Sequence, residues 1–212
     1  MEMKQKPKIV VVGSGIIGAS IALSCLNLGA DVLVLEQGKL GGAASSNSFG
    51  WINASFAESP AYFDLRIAAV DTFRNLKNEL NLKDSVSWQG TLWWEESGQE
   101  LKKQFNDLLD RGYSAKLLNS NEIKNLEPNL KDVPEAAIFT PLEGAAEADR
   151  VALAMLRKLT DEGGKVISGC TVEGLKFKKD SVSGAQTNIG EISCDMLVLA
   201  TGAAAQNGLL GC

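Results

Sequence analysis

With 212 residues, 45% of them hydrophobic and 22% charged, the sequence has the composition of a globular chain long enough to bury a sizeable core in one or two domains. A net charge of −5 without a basic cluster argues against nucleic acid as the main partner, and the complete lack of histidine excludes His-dependent triads and histidine metal sites. Cys25, Cys170, Cys194 and Cys212 are widely spaced with no C-x-x-C, which disfavours a disulfide framework or a zinc site. No run reaches the length of a membrane span and residues 1–8 contain no apolar signal core, so a cytoplasmic location is the expectation.

The first predicted element is a β-branched strand ending at Val12, and it runs directly into Gly13-Ser14-Gly15-Ile16-Ile17-Gly18. An apolar helical pattern over 19–28 follows, Gly29 closes it, and a second strand over 31–35 delivers Glu36. Strand, G-x-G-x-x-G, helix, strand and acid is the order of a dinucleotide-binding βαβ unit. Gly13 permits the tight turn, Gly15 lets the backbone approach a pyrophosphate, and Gly18 lets the helix pack on the strand. The helix N-terminus presents N–H groups to phosphates, and the Glu36 carboxylate is placed to accept from a ribose diol.

Residues 37–50, rich in Gly, Ala and Ser, read either as a flexible linker or as a ligand-wrapping loop. Their position, directly after the ribose acid at the carboxyl ends of the strands, favours the loop. Residues 60–80 are predicted helical, with Leu65, Ala69, Phe73, Leu76 and Leu80 as the apolar stripe. Residues 86–96 read as strands with a turn at Gln89-Gly90, where Trp88, Trp93 and Trp94 pack on a helix or wall a substrate pocket. A helix over 97–110, a strand over 115–118, a short helix capped by Asn119 with Glu122, and a strand over 137–140 come next. The helix over 149–163 takes Asp149 as its expected N-cap. Short strands over 165–167, 171–178, 181–187 and 191–193 suggest an antiparallel meander, and 196–200 is expected to be a central parallel strand returning to the cofactor edge.

Three stretches together, Gly13-x-Gly15-x-x-Gly18 with Glu36, Gly41-Gly42-Ala43-Ala44-Ser45, and Ala200-Thr201-Gly202-Ala203, resemble the FAD-dependent amino-acid oxidoreductase family. This family includes D-amino acid oxidase and dehydrogenase, glycine oxidase and sarcosine oxidase. Residues 117–123 through Glu127-Pro128, and 139–144, resemble their family counterparts, so the likeness runs from Lys8 to about Gly202. It implies an α/β FAD-binding Rossmann-like fold with an inserted α+β substrate-domain portion: a first FAD-binding segment over 1–84, the insertion over 85–143, and a second FAD-binding segment over 144–212. It also implies FAD rather than NAD; an NAD-dependent enzyme is the weaker reading.

By that resemblance Gly13, Gly15, Ile16, Ile17 and Gly18 hold the pyrophosphate, and Glu36 with Gln37 holds the adenosine ribose. Gly42, Ala43, Ala44, Ser45 and Ser46 line the pyrophosphate and flavin side, the Val172 backbone meets adenine, and Ala200, Thr201 and Gly202 close over the cofactor. The implied chemistry is hydride removal from the carbon beside an amine, with an amino acid or amine as substrate. Catalytic residues are unassigned. Trp51 and Asn53, with Phe56, are the substrate-side candidates, whereas Arg66 could take a carboxylate but reads better as a solvated or surface-paired arginine.

Family members continue past the Ala-Thr-Gly strand, and this sequence stops at Leu209-Leu210-Gly211-Cys212. The expectation is therefore an amino-terminal part whose carboxyl-terminal half is missing, either truncated or completed by a partner chain. A non-catalytic FAD-binding subunit is the alternative. A quinone-linked dehydrogenase would leave membrane association open.

Overall fold

The computed structural model describes residues 6–94 and 98–207. The expected strand end at 95–96, the helix start at Ser97 and the terminal Leu209-Leu210-Gly211-Cys212 lie outside the described residues. Two compact units divide the chain. The first comprises 1–50, 80–85 and 147–212, the second 51–79 and 86–146. The boundary expected after residue 84 is thereby displaced, because the helix over 60–79 belongs to the second unit.

In the first unit, β1 (Lys8–Val12), β2 (Asp31–Glu36), β9 (Lys165–Ser168) and β13 (Met196–Leu199) form a parallel sheet in the order β13-β1-β2-β9. β1 and β2 are continuous Ile, Val and Leu runs because both sheet faces are covered. Helices α1 (Ile16–Asn27) and α6 (Ala148–Asp161) pack on each other. Val10, Val12 and Leu35 cluster with Cys170, Val172 and Ala185 of the antiparallel meander β10 (Val172–Lys178), β11 (Ser181–Thr187) and β12 (Gly190–Ser193). The meander is as expected. The strand at 196–199 is not central: β13 is the outer strand of the described sheet, with Met196 55% exposed and Leu199 37% exposed. The N-cap of α6 is Glu147 rather than Asp149, which lies in the first turn and donates its charge to the helix dipole instead.

The second unit builds two small antiparallel sheets. β3 (Trp51–Ile52) and β4 (Val86–Ser87) flank β8 (Gly144–Ala146), while β5 (Thr91–Trp93) and β6 (Lys116–Asn119) flank β7 (Ala136–Thr140). The two strands around Gln89-Gly90 thus pair with different partners, not with each other. Helix α3 (Pro60–Glu79) buries Phe63 and Val70 and leaves Leu65 64% exposed, so the stripe predicted through Leu65 and Ala69 is displaced around the helix. Its core face meets α4 (Gly98–Asp110), where Leu101 and Leu108 join Phe63, Trp93, Tyr113 and Ile138.

Helix α5 (Ser120–Leu126) starts with the predicted capping box. Asn119 Oδ1 accepts from the backbone N–H groups of Asn121 at 3.0 Å and Glu122 at 3.2 Å, and Glu122 Oε2 accepts from Asn119 N at 2.8 Å. Asn119→Ala is expected to lower unfolding free energy by about 1 kcal/mol, read as a shifted denaturant midpoint at unchanged slope. An unshifted midpoint would show that the cap contributes nothing.

Candidate nucleotide-binding site

The β1–α1 turn forms because Gly13, at φ 107°, reverses the chain while its N–H donates to Leu35 O at 2.8 Å. Gly18 then sits against that turn so closely that a Cβ there would collide with the Gly13 carbonyl oxygen and come within 3.3 Å of Ala200 Cβ. Ala200 is held in place by its N–H to Val12 O at 2.8 Å, which brings the end of β13 beside the turn. Thr201 and Gly202 follow directly, entering a 3-10 turn over Gly202–Asn207.

The loop after β2 closes on the same turn. A Cβ on Gly42 would lie 2.7 Å from Gly15 Cα, so two side-chain-free backbones face each other. Helix α2 (Ala43–Ser46) follows, and buried Ser45 accepts from Ile16 N through Oγ at 3.0 Å. The hydroxyl keeps its own proton to donate. The α1 N-cap, Gly15, makes no side-chain cap hydrogen bond, and Ile17 in the first turn is 66% exposed. Ala43, Ala44 and Ser46 are exposed around this cradle.

Glu36 ends β2. Its Oε2 accepts from Ser14 N at 2.9 Å and Ser14 Oγ at 2.8 Å, and its Oε1 accepts from Gly38 N at 2.9 Å. A carboxylate offers about four acceptor positions, so one remains, and the Ser14 hydroxyl can surrender a second by turning away. Gln37 beside it is exposed. Cys170 N donates to Glu36 O at 3.0 Å, and this places Val172, two residues on, against the same end of β2. All the predicted nucleotide residues therefore gather in the first unit around the carboxyl ends of β1 and β2. A separate cleft of about 640 Å³, lined by Lys8, Asp31, Cys194 and Asp195, opens at the opposite end of these strands. Burial pushes the Cys194 thiol pKa up, with the Asp195 carboxylate adding to it and Lys8 opposing.

The substrate-side candidates lie in the second unit and are tightly engaged. Arg66 is half-buried and paired: its Nε donates to Asn53 O at 3.0 Å, its Nη1 to Phe56 O at 3.1 Å, and its Nη2 to Asn53 Oδ1. Trp51 Nε1 is shared between Thr91 Oγ1 at 2.9 Å and Glu143 Oε2 at 3.1 Å.

Glu143, which sequence reasoning did not single out, is fully buried and organises this segment. Its Oε1 accepts from Ala54 N and Ser55 N at 3.1 Å, from Tyr113 Oη at 3.2 Å and from Ser55 Oγ; its Oε2 also accepts from Thr140 Oγ1 at 2.9 Å. Burial, reinforced by this carboxylate, raises the pKa of the Tyr113 phenol. The available signal was a lone acid between the apolar runs of β7 and β8.

Among the described residues no group of three or more His, Cys, Asp or Glu could hold a metal ion, and no helix is long and apolar enough to cross a membrane.

A family model described as FAD dependent oxidoreductase matches residues 8–211. The chain is 25% identical to the mouse pyruvate dehydrogenase phosphatase regulatory subunit, over 92% of this chain and 23% of that protein. It is 25% identical to sarcosine oxidase subunit beta of Rhodobacter capsulatus, over 93% of this chain and 50% of that one. Among solved structures, L-proline dehydrogenase from P. horikoshii superposes with a TM-score of 0.85 at 26% identity, covering 99% of this chain and 57% of its own. The chain thus spans half or less of the length of these two curated relatives.

Proposed function

The chain belongs to the FAD dependent oxidoreductase family, and from that premise we propose that it forms the FAD-binding part of an enzyme oxidising the C–N bond of an amino acid or secondary amine. The observation that carries the cofactor assignment is the cradle where Gly15 and Gly42 meet without side chains, beside Ser45 and the exposed first turn of α1. A pyrophosphate is suited to the rim of this contact because backbone N–H groups and a helix N-terminus suit anions and neither glycine adds a side chain there.

In this reading the Gly13–Gly18 turn and Ser45 hold the pyrophosphate, Ser45 donating its hydroxyl proton to a phosphate oxygen. Glu36 orients the adenosine ribose through its spare acceptor position, and Val172 borders adenine. Thr201 and Gly202 border the flavin side. Bound FAD supplies a hydride acceptor at N5 for the carbon beside an amine nitrogen. The second unit orients substrate: Trp51 and Asn53 contribute shape, since the Trp51 N–H and the Asn53 amide oxygen are already committed to Thr91, Glu143 and Arg66.

Completion by a further polypeptide is supported by the outer position of β13 in the described sheet, where Met196 and Leu199 are exposed. The sarcosine oxidase match is to one named subunit, which supports a multi-chain arrangement. The second reading, a non-catalytic FAD-binding subunit, is favoured by the match to a protein named a regulatory subunit. Anaerobic addition of sarcosine or L-proline to the flavin-loaded protein separates the two: loss of flavin absorbance supports oxidation, and an unchanged spectrum supports the binding subunit.

Glu36→Ala is expected to weaken FAD binding by about 1.5–3 kcal/mol through lost charge-assisted hydrogen bonds, measured by titration of FAD fluorescence. Unchanged affinity would refute the ribose assignment.

A further inference from the structure

A buried serine joins the parts of the nucleotide cradle. Ser14, between the first two glycines of the turn, has no exposure. Its hydroxyl donates to Glu36 Oε2 at 2.8 Å and accepts from Gly41 N at 3.3 Å. Its own N–H donates to the same carboxylate oxygen at 2.9 Å. A hydroxyl has one proton to give, and here it goes to the acid at the end of β2 while the oxygen takes the N–H of the following loop. One side chain thus spans the β1–α1 turn, the β2 terminus and the 38–42 loop.

That loop is wedged. Gly41 is buried, and a Cβ on it would lie 3.3 Å from Asp149 Cβ in the first turn of α6, with Ser14 Oγ held on its N–H. Gly42 comes next, and its backbone is the one that meets Gly15. The Ser14–Gly41 hydrogen bond therefore sets where Gly42 stands. Without the hydroxyl, a buried N–H loses its acceptor, a state that folded proteins rarely keep. The loop relieves it by shifting toward water, which takes Gly42 off Gly15, and a pyrophosphate must then draw the loop back. Loss of the hydroxyl also frees an acceptor position on Glu36. Water fills that position, so a ribose hydroxyl gains there only by exchange, whereas the stranded amide bears its full desolvation cost.

We propose that Ser14 is a positioning residue for the cofactor: its hydroxyl sets the ribose acid and the Gly41–Gly42 loop together before FAD arrives. This role rests on the FAD reading and assigns to Ser14 the coupling between the adenosine and pyrophosphate ends of that site.

The test compares wild type, Ser14→Ala and Ser14→Cys by amide hydrogen exchange without FAD and by fluorescence titration with FAD. In Ser14→Ala, exchange at 39–42 is expected to quicken while β1 and β2 keep wild-type protection, a local pattern that general destabilisation would not give. FAD affinity falls about tenfold, and saturating FAD restores slow exchange at 39–42. Ser14→Cys, whose sulfur is a weak acceptor, falls between the two and keeps the test decisive should Ser14→Ala fold poorly. Wild-type exchange at 39–42 in both variants, or FAD binding as tight as wild type or tighter, would overturn this role alone. A wild-type chain that takes up no FAD would overturn the cofactor reading, and this role with it.

Discussion

Glu143→Ala is expected to destabilise the second unit by about 3–5 kcal/mol, measured by chemical denaturation. The backbone N–H groups of Ala54 and Ser55 donate to this carboxylate, and removing it strands the fully buried one of Ala54 and the half-buried one of Ser55. A void adds to the cost. Trp51 is less affected, because its N–H retains Thr91 Oγ1. Glu143→Gln keeps the shape and one acceptor oxygen for Ala54 and Ser55, while its new amide can donate to the Thr140 hydroxyl. The charge assistance and the second acceptor of the Trp51 N–H are lost, but that N–H keeps Thr91 Oγ1, so the cost is about 1–2 kcal/mol. Equal effects of the two variants would mean that the carboxylate's bulk, and not its hydrogen bonds, holds the 51–56 segment.

The second large effect is at the glycine turn. Gly18→Ala is expected to lower the stability of the first unit by about 3 kcal/mol or more and to abolish FAD retention. The added methyl meets the Gly13 carbonyl oxygen, which is backbone and cannot rotate aside, with Ala200 Cβ 3.3 Å away on another side. Relief requires α1 to move away from β1, taking its N-terminus from the pyrophosphate position. Wild-type melting temperature and FAD affinity in Gly18→Ala would contradict this packing.

The nucleotide unit was legible in the sequence because each of its signals is local. The Ile-Val-Val-Val run, the spaced glycines and Glu36 follow one another within one βαβ unit, and the structure assembles them in that order. The Asn119–Glu122 capping box and the meander were legible for the same reason. What escaped is set by distant partners. Thr91–Trp93 looks like half of a hairpin with Val86–Ser87, but its hydrogen bonds go to Ala136–Thr140. In α3 two apolar sets satisfy the same three-and-four spacing, and Phe63 is selected over Leu65 by joining Leu101, Leu108 and Tyr113 in one cluster. Glu143 was invisible because its donors come from residues 51–55, 113 and 140, which nothing in the local pattern connects to it. The pairing of Arg66 is legible only in general terms for the same reason, its partners being groups of the 53–56 loop.

The central claim, that the Gly13–Gly18 turn, Glu36 and the Gly42–Ser46 segment form an FAD site, is tested most directly by supplying the purified chain with FAD, removing the excess by gel filtration and recording the visible spectrum. Retained flavin absorbance is expected, diminished in Glu36→Ala and abolished in Gly18→Ala. A folded chain that emerges colourless, and that binds NAD in the same procedure, would contradict it.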